Sequence, residues 1–249
     1  MGIRVAAAGD VHADASRRAD LRAAFTRLRG NADLVLLAGD LTTHGLPEEA
    51  RVVAEASQLA QLPVFSVLGN HDWHSNRAAE VTAVMEEAGA TVLDRSWATC
   101  EVDGGQVGIA GTKGFVGGFP GSHMPDFGEP LLREVYAETG REAAAIDDGL
   151  RATSGCDYQV VLLHYSPTLT TLEGERPEIA AFLGCDRLAH PIADHCPDLV
   201  LHGHAHAGRF EGAIGSVPVF NVALPMKREF WVFELGDDRP RTPEYALVG

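Results

Sequence analysis

Val67-Leu68-Gly69-Asn70-His71-Asp72-Trp73-His74 begins at the end of an apolar run and then crowds an amide, two imidazoles and a carboxylate between Asn70 and His74. The run, residues 64–68, has strand length and is nearly continuously apolar, the pattern of a strand covered on both faces. Gly69 breaks it. The same design recurs along the chain. Ile3–Ala8 runs into Gly9-Asp10-Val11-His12, and Leu34–Ala38 into Gly39-Asp40. Residues 160–163 stop at His164, and residues 199–201 run into His202-Gly203-His204-Ala205-His206.

Helical patterns separate the early runs. Residues 14–29 place Leu21, Phe25 and Leu28 on one side, and residues 47–61 open with Pro47, Glu48 and Glu49, a favourable first turn. Residues 76–88 form a third helical pattern ending at Gly89. A βαβαβα beginning predicts an α/β fold. Further on, residues 96–102 and 106–110 flank Asp103-Gly104-Gly105, a hairpin signal. Residues 111–128, rich in Gly and Pro, read as a long loop or lid, and residues 129–151 as a helix. A second hairpin is expected around Gly215-Ser216, followed by a strand near 230–234. With no repeat and no linker, the expectation is one domain over 1–249 carrying a loop-and-helix insertion around 112–153.

Composition excludes some classes of function. Lys plus Arg number 20 against 35 Asp plus Glu, a net charge of −15 that disfavours nucleic acid and anionic membranes as partners. A small anionic substrate stays compatible if a metal ion reverses the sign locally. Cys100, Cys156, Cys185 and Cys196 form neither a C-x-x-C pair nor a disulfide framework; they read as buried small hydrophobes in a reducing, cytoplasmic setting. No stretch approaches the roughly 20 apolar residues of a membrane span.

In open α/β sheets the loops beyond the carboxyl ends of parallel strands converge on one crevice. Five strand ends would bring Asp10, His12, Asp40, Asn70, His164, His204 and His206 together. Imidazole nitrogens with carboxylate and amide oxygens suit divalent transition metals. Seven such residues exceed the needs of one tetrahedral ion and are about right for two. Taken singly, Asp-x-His reads first as a cap, Gly-Asp as a turn, and His164 as a packed histidine. Only the ordered set points to metal.

Those motifs carry a family resemblance. The chain resembles the calcineurin-like metallophosphoesterases, whose signature runs D-x-H, G-D, G-N-H-[DE], a single His and G-H-x-H; all five motifs stand intact between residues 10 and 206. The resemblance implies two packed, mostly mixed β-sheets flanked by helices, with a dinuclear centre at one edge. It implies that Asp10, His12 and His206 hold one ion, that Asp40 bridges, and that Asn70, His164 and His204 complete the second. The two ions would be Mn, Fe, Zn, Co or Ni. It further implies that His71 faces the substrate as the catalytic acid, that Asp72 orients His71, and that a bridging hydroxide attacks phosphorus. Ala207 and Arg209 stand where many relatives have Gly and Gln, which leaves the neighbouring pocket wall open.

The expected activity is hydrolysis of a small-molecule phosphodiester or phosphomonoester. The alternatives are a non-catalytic metal-binding interaction scaffold on the same fold and a mononuclear hydrolase. An oligomer is compatible with the sequence. His44, His74 and His202 lie beside motif residues and read as packed or exposed before they read as support for the ligands. His123 reads as a solvated loop histidine, His190 and His195 as helix residues without a function, and Lys113, Phe115 and residues 168–175 as rim candidates for substrate selection.

Overall fold

The computed structural model describes residues 2–227 and 229–236. Its first sheet contains β1 (Ile3–Ala8), β2 (Leu34–Ala38), β3 (Val64–Val67) and β4 (Thr91–Val92), with β11 (Trp231–Leu235) on its other edge, in the order β11-β1-β2-β3-β4. β1, β2 and β3 pair in parallel, and β11 pairs antiparallel to β1. The crossovers are α1 (Arg18–Leu28), α2 (Pro47–Ser57) and α3 (Ala78–Glu87), so the βαβαβα reading holds.

The second sheet has β5 (Ser96–Val102), β6 (Gly105–Gly111), β7 (Tyr158–Leu162), β8 (Leu199–His202), β9 (Glu211–Ile214) and β10 (Val217–Asn221), in the order β5-β6-β7-β8-β10-β9. β6, β7, β8 and β10 run parallel, while hairpins add β5 and β9 antiparallel at the edges. Helices α4 (Pro130–Ala152), α5 (Ala180–Leu183), α6 (Ala189–His195) and α7 (Leu224–Lys227) complete the chain. The fold class is α/β, with two mixed sheets packed together and helices outside.

Alternation along each buried strand serves two interfaces at once. Val5, Ala7, Leu34, Leu36, Phe65 and Val67 of the first sheet meet Val107, Ile109, Val160, Leu162, Leu199 and Leu201 of the second in the central layer. Ala6, Ala8, Val35 and Leu37 point the other way, onto Leu21, Phe25, Leu28 and Val53 of α1 and α2. Ala110, Val161, Leu163 and Val200 likewise meet Ile146, Leu150, Leu188 and Ile192 from the α4 and α6 side. Strands so placed need apolar residues at nearly every position, which is why they appear as unbroken runs.

The sheets meet at one end. Gly9 N donates to Val222 O at 2.8 Å and Leu224 N donates to Gly9 O at 2.8 Å, stitching the exit of β1 to the exit of β10. The carboxyl ends of the parallel strands of both sheets therefore lie along one edge. The cysteine expectation needs a correction: Cys100 and Cys185 are buried, but Cys196 is exposed, in the left-handed cap that ends α6. Among the described residues no helix is long and apolar enough to cross a membrane.

Candidate metal centre

Five strand exits deliver their polar residues to this edge. Three groups have ligand atoms lying within 4.8 Å of one another: Asp10 with His12 and His206, His12 with Asp40 and His71, and Asp40 with His164 and His204. Asn70 joins the last through its amide oxygen, 2.9 Å from His164 Nε2. All seven residues expected as ligands, and His71, are thus neighbours.

The backbone is bent to achieve this. Asp10, His12, Asp40 and His204 have φ of 54°, 43°, 48° and 71°, in the left-handed region that non-glycine residues seldom adopt. Asp10, Asp40 and His204 each follow a motif glycine, and His12 stands two residues beyond Asp10. Gly69 is required for another reason: a Cβ there would collide with the carboxylate and backbone nitrogen of Asp40. At Gly39, a Cβ would stand 2.6 Å from His164 Nδ1, and its φ of +79° favours glycine as well.

Hydrogen bonds orient each imidazole. His164 Nδ1 donates to Ala38 O at 2.9 Å, which turns its Nε2 lone pair toward Asn70 Oδ1 and toward Asp40 Oδ1 at 3.4 Å. Three acceptors facing one another is an arrangement a cation resolves. His204 Nε2 donates to Phe182 O at 3.2 Å, leaving Nδ1 unprotonated with its lone pair to offer. His12 Nε2 is buried without a hydrogen-bond partner, 4.0 Å from Asp10 Oδ1 and 3.8 Å from Asp40 Oδ2. An orphaned buried nitrogen between two carboxylates fits a divalent ion, as does the mixed N and O donor set.

Charge and burial set the titration of these groups. Burial pushes the Asp10 carboxyl up, yet its 2.8 Å bond to His206 and the neighbouring imidazoles outweigh this and hold it below the ordinary carboxylate range. His206 is raised by the same bond. Burial pushes His12 down, and His204 down to about 3, with His164 adding to the latter. Neutral imidazoles are the form that binds metal.

His71 and Asp72 differ from expectation in how they are supported. His71 Nδ1 donates to Thr43 O at 2.7 Å, its backbone N–H donates to Asp40 Oδ1 at 2.8 Å, and its ring stands edge-on to His12 at 4.6 Å. Among the described residues, no hydrogen bond or ion pair joins the Asp72 carboxylate to that ring. The carboxylate accepts from Gly69 N at 2.8 Å, Leu41 N at 3.1 Å, Thr42 N at 2.9 Å and Thr42 Oγ1 at 2.6 Å. Asp72 ties the Asn70 loop to the Asp40 loop, and the Thr43 carbonyl orients His71. Burial, followed by the Asp40 charge, pushes Asp72 up to about 6.

Other histidines also acquire places. His202 is fully buried; its Nδ1 donates to Gly203 O at 2.7 Å, so its Nε2 accepts from Thr171 Oγ1 at 2.8 Å. His44 Nδ1 pairs with Glu49 at 2.8 Å, and His74 stacks on His71 at 6.5 Å. His123 is an exposed loop histidine, as expected, and its Nε2 pairs with Asp186 at 2.8 Å. The Gly/Pro-rich loop is tied to residues 181–186, through Gly117 N to Ala181 O at 3.1 Å and Gly118 N to Gly184 O at 2.9 Å. Ala205, between His204 and His206, packs with Phe119, Leu172 and Leu183. Sequence reasoning missed Thr43, Ala38 and Phe182 as orienting groups because each acts through a backbone carbonyl, which no side-chain identity signals. It also passed over Tyr165, whose only sequence signal is its place after His164. The Tyr165 ring lies 4.5 Å from that of His204 and 5.5 Å from that of His164.

Two packed α/β sheets with a cluster of Asp, His and Asn at their shared edge define the class of a metallophosphoesterase-type fold. The family model described as calcineurin-like phosphoesterase matches residues 3–208, and the chain belongs to that family. Among solved structures, it is similar to phosphopantetheinyl hydrolase from Mycobacterium tuberculosis (15% identity, 98% of each chain covered, TM-score 0.68). It is also similar to TT1561 of Thermus thermophilus (19% identity, 94% of this chain and 95% of that one, TM-score 0.60). A third is a putative 5'-nucleotidase from Staphylococcus aureus (15% identity, 98% of this chain and 54% of that one, TM-score 0.62). No curated protein matches the sequence.

Proposed function

We propose that the protein is a metal-dependent hydrolase of small-molecule phosphate esters, with two divalent ions at the strand-exit edge. Asp10, His12 and His206 would hold one ion, Asn70, His164 and His204 the other, and Asp40 would serve both. The observation that carries this reading is the convergence of ligand atoms, above all the unpartnered His12 Nε2 between two carboxylates and His164 Nε2 facing Asn70 Oδ1 and Asp40 Oδ1. When bound, such a pair supplies Lewis-acid activation of water and neutralises charge developing on the phosphoryl group.

The remaining tasks fall to the chain's own residues. With Nδ1 committed to the Thr43 carbonyl, His71 has Nε2 available to hold or give a proton at the leaving oxygen. The substrate is a phosphodiester or phosphomonoester small enough to avoid the acidic surface. The names of the structural neighbours, a phosphopantetheinyl hydrolase and a putative 5'-nucleotidase, support hydrolysis of small phosphate esters as the class.

The test is an activity screen on bis(p-nitrophenyl) phosphate, p-nitrophenyl phosphate and linear and cyclic nucleotides. Mn²⁺, Fe²⁺, Zn²⁺, Co²⁺ and Ni²⁺ are each supplied, and metal content is measured on the same preparation. Hydrolysis with two ions per chain is expected. One ion per chain at saturation would favour a mononuclear hydrolase. Full metal content with no hydrolysis across the panel would sink the enzymatic reading in favour of a metal-binding scaffold.

A further inference from the structure

Tyr165 is the residue beside the centre that the reading above leaves without a task. It directly follows His164, where β7 ends, and is only 5% exposed. Its ring is locked on several sides. It lies tilted at 4.5 Å from the His204 ring, edge-on at 5.5 Å from the His164 ring and edge-on at 6.0 Å from Phe115. The Lys113 ammonium stands 5.1 Å from its centroid, and Tyr165 N donates to Lys113 O at 3.0 Å.

A tyrosine this deeply packed ordinarily gives its hydroxyl a protein partner, because an unpaired buried O–H is costly. Among the described residues, Tyr165 has none for its hydroxyl. Nor does that oxygen belong with the sealed atoms that lack a hydrogen bond, such as His12 Nε2 and Ser66 Oγ. The ring is therefore buried while the hydroxyl has no partner among the described residues. Burial first, then the charges of Asp40 and Glu142, raise the phenol above its ordinary range. The ring's contacts with the His204 and His164 imidazoles hold the phenol beside the proposed second ion site.

We propose that the Tyr165 hydroxyl is a catalytic group of this site, donating a hydrogen bond to a phosphoryl oxygen of the substrate on the His164 and His204 side. This rests on the phosphoesterase reading above and assigns a substrate contact within it. The packed rings fix the phenol before substrate arrives, so the bond is made without ordering a side chain, and a fixed donor aimed at developing phosphoryl charge favours the transition state. A purely structural role would look different. It would use the ring alone, which supports the two imidazoles, and would leave the hydroxyl dispensable.

Tyr165→Phe separates these, since it removes one oxygen and keeps the stacked ring. Expected are metal content and melting temperature equal to those of the parent. In addition kcat/KM on p-nitrophenyl phosphate should be lowered roughly 10- to 100-fold, as for loss of one transition-state donor. The metal-loaded variant should also bind inorganic phosphate several-fold more weakly by calorimetry. Parent-like kcat/KM and phosphate affinity in Tyr165→Phe would overturn the proposal while leaving the phosphoesterase reading intact. Loss of metal along with activity would assign Tyr165 to ligand support and overturn it as well. Absence of hydrolysis in the parent protein on every ester and metal would remove the phosphoesterase reading itself, and this assignment with it.

Discussion

At the scale of single residues, the proposed centre separates groups that would hold metal from groups that would meet substrate. Asp40 lies within reach of both proposed ions, is nearly sealed from water, and also accepts the backbone N–H of His71. His71 is oriented from behind by Thr43, so its removal leaves the carboxylates in place. His71→Ala should therefore lower kcat by roughly 100-fold or more while metal content stays near the parent value. Asp40→Ala should lose metal and activity together. Parallel metal analysis and kinetics check the pair, and full turnover in His71→Ala would end its role as the acid. Gly69 is as constrained as any ligand, because a Cβ there overlaps Asp40. Gly69→Ala should cost about 1–3 kcal/mol of stability, the usual penalty for overpacking, and weaken metal retention. Urea midpoints measured with and without metal test both effects.

Elements matter through the loops they hold. The loop 203–206 is propped by His202, whose bond to Thr171 ties it to the 3-10 turn Leu169–Leu172. Asn221 adds a bond from its Nδ2 to Ala205 O at 2.7 Å. Burial pushes His202 down to about 4 from the ordinary 6.5. Between those values the unfolded chain takes up a proton that the folded chain refuses. Stability is thus intact above 6.5 and falls as pH drops toward 4. The slope from this group is at most about 1.4 kcal/mol per pH unit. His202→Gln, whose amide can serve both partners, should flatten that slope. Denaturant midpoints of metal-free protein across the window provide the check, and an unaltered slope would free His202 of responsibility.

The whole molecule makes the site by aligning two sheets. Neither sheet alone carries a full set: Asp10, His12, Asp40 and Asn70 leave the first, and His164, His204 and His206 leave the second. Ions bridging these exits would bind the folded chain and not the unfolded one. Chelation should then lower the melting temperature by roughly 5–10 °C, taking a metal excess of about 100-fold over Kd and a chain of this size. A chelator titration followed by calorimetry would show it. An unchanged melting temperature, with metal shown to be removed, would mean that the ions do not link the sheets.

Much of this was legible in the residues. Strands buried on both faces are apolar at almost every position, so β1, β2, β3, β7 and β8 stood out, and each motif residue sits where such a run stops. The parallel crossovers followed from the helical patterns between them. Local chemistry within a few residues of a strand end is encoded locally, and that is what sequence alone determined: the fold class and the cluster of donor types. Tertiary structure decided what depends on contacts between distant segments. It turned Asp72 onto the backbone of residues 41, 42 and 69 instead of onto His71, and it recruited the carbonyls of Ala38, Thr43 and Phe182 to aim three imidazoles. It buried His202 under a loop and left the Tyr165 hydroxyl without a partner among the described residues. Every residue type carries the same backbone carbonyl, and burial belongs to a packed environment rather than to a residue. Neither is written in the identity of the side chains.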